Sequence, residues 1–203
     1  MPDLAFERSL QVALCTLSLA PDAGQLAKLV SHFELLQRWN QRISLTSIKT
    51  AEEIATRHFG ESLFLATALP EHGTLADVGS GAGFPGIPVA AVKPGFHVTL
   101  IESVAKKAVF LKEVTRDYRN VRVLQARAES SDGRFDWATM RAVAPEPLLA
   151  FLSTRVAKLA LLIGERDAAA LMESTLFDWE PSRPLPWGTH RVLLIGNSRA
   201  TAV

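Results

Sequence analysis

Residues 74–102 read TLADVGSGAGFPGIPVAAVKPGFHVTLIE. The stretch opens on Leu75-Ala76-Asp77-Val78, a short apolar run that predicts a buried strand. A glycine-dense turn occupies residues 79–86, a helical pattern follows over 87–92, and a second strand-like run over 97–101 ends at Glu102. Strand, glycine turn, helix, strand and acid make the first half of a nucleotide-binding βαβ unit. The residue types suit that role. Glycines adopt positive φ without steric cost and let backbone approach a ligand closely. Pro85 suits the first turn of a helix, where a missing N–H costs nothing. The free N–H groups of a helix start favour a carboxylate or phosphate. Glu102 follows Gly79 by 23 residues, near the ~20-residue offset of an acid that binds ribose hydroxyls.

Gly81, Gly83 and Gly86 satisfy G-x-G-x-x-G, so a dinucleotide must be weighed, although that pattern alone is weakly specific. Asp77 stands two residues before Gly79. An acid there repels a pyrophosphate but can hold the ammonium end of S-adenosylmethionine (AdoMet). Asp77, Gly79, Gly81 and Gly83 together with Glu102 therefore favour AdoMet over NAD.

The same residues carry a family resemblance. DVGSGAGFPGIPVA resembles the AdoMet-binding motif of the RsmG (GidB) family, the bacterial 16S rRNA guanine-N7 methyltransferases. Trp39-Asn40 with Leu45-Thr46-Ser47 resembles that family's W-N-x(4)-L-T-S signature. Residues 57–63 (RHFGESL) resemble its R-H-x-x-D-S-L, and residues 141–145 (RAVAP) its R-A-V-A-P. The match runs in consistent order from about residue 30 to the C-terminus. It implies a Rossmann-like class I AdoMet-dependent methyltransferase fold acting on 16S rRNA of the small ribosomal subunit. It further implies cofactor contacts at Gly79, Phe84, Ala128, Glu129 and Arg141. Three places depart from the pattern: Glu61 where the family has Asp, Ile163-Gly164 where a lysine commonly precedes glycine, and residues 155–158 (RVAK) where a Pro-Gly-Gly type turn is usual.

With 203 residues and 48% hydrophobic content, the chain can build one well-packed domain. We expect a single methyltransferase domain, with residues 1–70 an N-terminal helical cap and 71–203 the AdoMet-binding α/β core. Mean hydropathy is +0.14, yet no apolar run approaches the ~20 residues of a membrane span. Residues 10–20 (LQVALCTLSLA) are apolar, but Asp3 and Glu7 offset Arg8 and Pro21-Asp22 is a poor cleavage site, so a docked amphipathic helix is expected instead of a signal peptide. Cys15 is the lone cysteine, which excludes an internal disulfide and a Cys-based zinc site. A cytoplasmic monomer without metal is expected.

Net charge is +1, from 22 basic and 21 acidic residues, which alone says little about RNA. Residues 103–141, however, hold nine basic residues against five acidic ones. A locally basic face can meet RNA on a nearly neutral protein; ordinary solvated helix faces explain the charge equally well.

Leu4, Leu10, Leu14 and Leu17 have helical spacing. After a break at residues 21–24, Leu26, Leu29, Val30, Phe33, Leu36, Trp39 and Ile43 mark a long amphipathic helix. Trp39 lies in that stripe, so core packing is favoured over base stacking. Residues 50–53 (TAEE) form a capping-box pattern. His58 and Glu61 fall within one turn; a structural tie between cap and core is favoured over an acid/base pair or metal ligation. A helix over 104–118 and strands at 121–124, 135–140, 159–163 and 192–195 follow, with helices over 145–156 and 165–174. The alternation predicts an open α/β sheet, mostly parallel, with an antiparallel closing strand.

In such a sheet ligands bind beyond the strand carboxyl ends, which here supply Asp77, the glycine turn, Glu102, Ala128, Glu129 and Arg141. Phe84 is expected to line the pocket. Guanine N7 carries no proton, so methylation there needs orientation more than a general base, and no Ser/His/Asp or Cys/His nucleophile pattern is present. Arg141 is the candidate for a direct role, toward a carboxylate, a phosphate or guanine O6; the alternative is an ion pair with an acid such as Asp77. RNA is expected on Lys106, Lys107, Arg116 and Arg119. A methyltransferase acting on another RNA or a small molecule, a non-catalytic AdoMet-binding module and an NAD-dependent oxidoreductase are the competing functions.

Overall fold

In a computed structural model that describes residues 3–200, the strand that begins the glycine motif, β1 (Gly73–Val78), sits inside an eight-stranded sheet. The other strands are β2 (Phe96–Ile101), β3 (Val121–Leu124), β4 (Phe135–Arg141), β5 (Val156–Gly164), β6 (Phe177–Trp179), β7 (Arg183–Pro184) and β8 (Arg191–Ser198). Their order is β3-β2-β1-β4-β5-β8-β6, with β7 also pairing β8. The pairs β1–β2, β1–β4, β2–β3 and β4–β5 are parallel; β8 runs antiparallel to β5, β6 and β7. The fold is the expected Rossmann-like class I architecture. One detail differs: the antiparallel strand does not close the sheet but is inserted between β5 and β6.

Both faces of the sheet are covered, and the side chains alternate accordingly. Along β5, Ala160 and Leu162 enter one apolar cluster while Leu159, Leu161 and Ile163 enter the other. Leu193 and Ile195 of β8 join the first, Val192 and Leu194 the second. This two-residue period, with both faces buried, explains why these strands read as unbroken hydrophobic runs.

The first face carries α1 (Leu4–Thr16), α2 (Ala23–Asn40), α4 (Glu61–Ala68), α5 (Gly86–Val92) and α6 (Ala105–Val114); the second carries α7 (Leu149–Ser153) and α8 (Glu165–Leu171). The one-turn α3 (Ala51–Glu53) leads through a π-helical stretch, Ile54–Gly60, into α4. Caps fix the helix starts. The Asp3 carboxylate accepts the Ala5 and Phe6 amides, and Asp22 with Gln25 forms a full capping box, satisfying donors that lack helical partners. At Thr50 only half the expected box forms: its hydroxyl accepts the Glu53 amide, while the Glu53 carboxylate turns to that hydroxyl.

Several boundaries shift. Helix α6 stops at Val114, short of the expected 118. A 3-10 turn (Glu146–Leu148) and the short α7 replace the helix expected over 145–156, because the chain already enters β5 at Val156. Strands β6 and β7 lie in the Pro/Trp-rich stretch that carried no strand pattern. Pro85 is the residue before α5, not its first turn. The outermost residues of the expected 1–203 span, 1–2 and 201–203, lie outside the described residues.

Candidate functional site

β1 is flanked by β2 on one side and β4 on the other, so the chain changes direction at its carboxyl end and opens a crevice there. The glycine turn crosses that end. The Gly79 and Ser80 amides both donate to the Ile101 carbonyl, at 2.9 and 3.1 Å, stitching the turn to the end of β2. Gly79, Gly81 and Gly83 have φ of 71°, 55° and 87°, a region costly for any residue with a Cβ. A Cβ on Gly79 would also lie 2.6 Å from Val143 Cγ2, and one on Gly83 would overlap Ile87.

Asp77 lies beneath this turn and is fully buried. Its Oδ2 accepts the Gly86 amide at 3.0 Å, a close approach that leaves no room for a Cβ on Gly86. Its Oδ1 has no partner. Burial raises the carboxyl to about 7, opposed by the Gly86 hydrogen bond and nearby Arg141, and reinforced by Glu102. The Gly86 bond ties the end of β1 to the start of α5.

Glu102 follows β2 and is held on both oxygens. Oε2 accepts the Gly81 amide at 2.9 Å and Oε1 the Val104 amide at 2.7 Å. Each carboxylate oxygen has two acceptor sites, so one on each remains for a ribose hydroxyl. Ala128 and Glu129 form a 3-10 turn, Ala128–Ser130, after β3, with Ala128 buried and Glu129 exposed. β3 is tied to the same corner, because the Glu102 amide donates to the Leu124 carbonyl.

The ring of Phe84, directly after the glycines, is buried between two imidazoles. The centroids of His32 and His58 each lie 4.6 Å from it, nearly parallel. His32 Nε2 is 2.8 Å from the Ala82 carbonyl, binding α2 to the glycine turn. His58 Nε2 is 2.7 Å from Thr46 Oγ1. Burial lowers His32 to about 4, and burial with the nearby Arg141 lowers His58 to about 3. Both are neutral at neutral pH. No sequence pattern singled out His32.

Arg141, at the end of β4, pairs with Glu61 and not with Asp77. Arg141 Nε lies 3.0 Å from Glu61 Oε2, and Arg191 brackets the same carboxylate at 3.0 Å to each oxygen. Arg141 Nη2 also donates to the Arg57 carbonyl in the π-helical stretch. Glu61, fully buried, thus ties the cap to two core strands, as the structural reading of this residue expected. Arg191 carried no signal in the sequence. Among the described residues no cluster of three or more His, Cys, Asp or Glu is arranged to hold a metal ion.

Asp77, the three glycines, Glu102 and Arg141 therefore gather around the ends of β1, β2 and β4, with Ala128 and Glu129 following the adjacent β3. The model of the family described as "rRNA small subunit methyltransferase G" matches residues 25–162. Over 130 residues the chain is 43% identical to the ribosomal RNA small subunit methyltransferase G of Stenotrophomonas maltophilia (strain K279a), covering 62% of this chain and 61% of that protein. Its counterpart from Geotalea uraniireducens (strain Rf4) is 38% identical over 148 residues, covering 70% and 68%. The chain spans about three fifths to two thirds of the length of these relatives. Among solved structures, the magnesium protoporphyrin IX methyltransferase of Synechocystis PCC 6803 with bound SAM superposes with a TM-score of 0.61 at 15% identity, covering 88% of this chain and 98% of that one.

Proposed function

Because the chain belongs to the rRNA small subunit methyltransferase G family, we propose that it transfers a methyl group from AdoMet to N7 of a specific guanine in 16S rRNA. The observation that carries the reading is Glu102, whose two oxygens are fixed by the Gly81 and Val104 amides while each keeps a second acceptor site, which we assign to the ribose hydroxyls. AdoMet, when bound, supplies an electrophilic methyl on sulfonium, which guanine N7 takes with its lone pair and no proton to remove. The protein's task is then placement. In this reading Glu102 fixes the ribose, and the Gly79–Gly83 backbone is assigned to the methionine portion. Asp77 holds the loop to α5 through Gly86. Arg141, oriented by Glu61 and the Arg57 carbonyl, lies where a carboxylate, phosphate or guanine O6 is to be met. Gly79, Phe84, Ala128, Glu129 and Arg141 are the proposed contacts.

The same reading treats residues 1–70 as a cap on the 71–203 core and not as a separate unit. One apolar cluster joining Phe6, Phe33 and Phe59 to Leu75, Val98 and Leu162 supports this. It takes the protein as a cytoplasmic, metal-free monomer; among the described residues no helix is long and apolar enough to cross a membrane.

The test is transfer from labelled AdoMet to small ribosomal subunits that lack their native methylation, with the product mapped by cleavage at 7-methylguanosine. One mapped guanine, lost in Glu102→Ala, is expected. Tight AdoMet binding with no transfer would leave a binding module or another acceptor. Stabilisation to heat by NADH and not by S-adenosylhomocysteine would overturn the cofactor.

A further inference from the structure

A groove of about 680 Å³ runs between the end of α2 and the outer face of α6. Arg38 and Arg42 stand on its α2 side and Lys106 on its α6 side. All three are exposed, and none forms an ion pair among the described residues. The one acid in the lining, Glu113, is engaged by the Trp39 indole N–H at 3.1 Å. The floor is apolar. Trp39 is half-buried against Phe110, and Val109 is 52% exposed on an otherwise charged helix face. Trp39 thus packs the core, as its place in the stripe predicted, and also presents surface to the groove.

Three cations against one carboxylate, around an aromatic and aliphatic floor, complement a polyanion that also offers flat apolar faces. That is single-stranded RNA. The groove is also placed for it. Helix α6 begins directly after Val104, whose amide holds Glu102, so its Lys106 wall starts at the edge of the candidate cofactor site. The other basic cleft, about 340 Å³ lined by Arg119, Arg122 and Arg134, is walled by strand residues. None of the exposed large hydrophobic residues lines it.

We propose that the α2–α6 groove seats an unpaired rRNA segment flanking the target guanine, with phosphates on Arg38, Arg42 and Lys106 and a base over Trp39 and Val109. The proposal rests on the rRNA reading above and narrows it: of the four basic residues expected to grip RNA, only Lys106 lines this groove.

The experiment uses small ribosomal subunits lacking the native methylation. Arg38→Glu/Arg42→Glu and Val109→Glu should each raise KM for subunits at least tenfold. The AdoMet Kd and kcat should stay within about twofold, and the double variant should flatten the salt dependence. Arg122→Glu/Arg134→Glu, an equal charge change in the other cleft, should stay within threefold. A photo-crosslinker at position 109 should label 16S rRNA. Unchanged KM in the groove variants, with wild-type transfer intact, overturns the groove alone. A crosslink to a ribosomal protein also overturns it, assigning the face to a protein partner. No transfer by the wild type to any subunit overturns the rRNA reading and the groove together.

Discussion

Arg141 Nε lies 3.0 Å from Glu61 Oε2, in an ion pair whose side chains are 12% and 1% exposed. This pair changes what Arg141 can do. Two of its nitrogens are committed, to Glu61 and to the Arg57 carbonyl, leaving Nη1 as the guanidinium nitrogen without a partner among the described residues. A contact with substrate or cofactor must use Nη1 or the second hydrogen of Nη2. The pair is at once a support for the site and a clasp between cap and core.

Glu61 also neutralises Arg191. Glu61→Gln therefore leaves two guanidiniums facing each other with no anion. Removing one partner of a buried pair typically costs about 3–5 kcal/mol, and the midpoint of urea unfolding should fall accordingly. Glu61→Asp keeps the charge but is one methylene shorter and cannot span both arginines, so an intermediate loss is expected. Equal stability of Gln and wild type would mean that the carboxylate does not hold the arginines in solution.

Glu102 is asked to bind a ligand and to anchor the turn. Glutamine is not a conservative replacement, because its amide nitrogen must face either the Gly81 or the Val104 N–H, donor against donor. Glu102→Gln should weaken AdoMet at least tenfold by calorimetry, and the Gly81 amide should exchange hydrogen faster in the unliganded variant. Normal exchange with weakened binding would confine Glu102 to the ligand; fast exchange with normal binding would confine it to the loop.

Much of this site was legible because its signals are local. The strand period, positive-φ glycines and the acid after β2 all fall within residues 74–102. What stayed hidden is long-range. Arg191 meets Glu61 across 130 positions, and no local pattern records such a pairing. His32 reaches Ala82 from the middle of a helix whose periodicity said only that its face is buried. The stacking of Phe84 between two imidazoles of the cap, from residues 32 and 58, is likewise long-range and left no local mark. Strands β6 and β7 pair with β8 and are three and two residues long, too short to show a strand period in the sequence.

Asp77 makes the protein less stable as pH rises. Its carboxyl holds a proton up to about 7 in the fold, whereas in the unfolded chain it ionises near 3.9. Between those values the folded state carries the extra proton, and the penalty for burying the charge grows until about pH 7. Asp77→Asn can keep the Gly86 hydrogen bond through its carbonyl and never ionises. Relative to wild type, its unfolding free energy should improve by about 3 kcal/mol from pH 5 to pH 8. A constant difference across that range would show Asp77 ionised in the fold throughout.

The two histidines act with the opposite sign. An imidazole in the unfolded chain takes a proton near 6.5, but His32 and His58 do so in the fold only near 4 and near 3. Below about pH 6.5 the unfolded chain binds more protons, so the stability that these residues hold above that value is lost as the medium is acidified. His32→Gln retains a donor for the Ala82 carbonyl and cannot titrate. The slope of unfolding free energy against pH between 6 and 4.5 should therefore become shallower by about 1.4 kcal/mol per pH unit, one proton's worth. In acid the second proton goes to Nδ1, which is buried without a partner, while Nε2–H still donates to the Ala82 carbonyl; a charge is then buried against the glycine turn, and the turn should loosen with the fold. AdoMet affinity of the wild type should then fall below about pH 5 in step with stability, and that of His32→Gln should fall less. An unchanged slope in His32→Gln would mean that the imidazole is already charged in the folded protein.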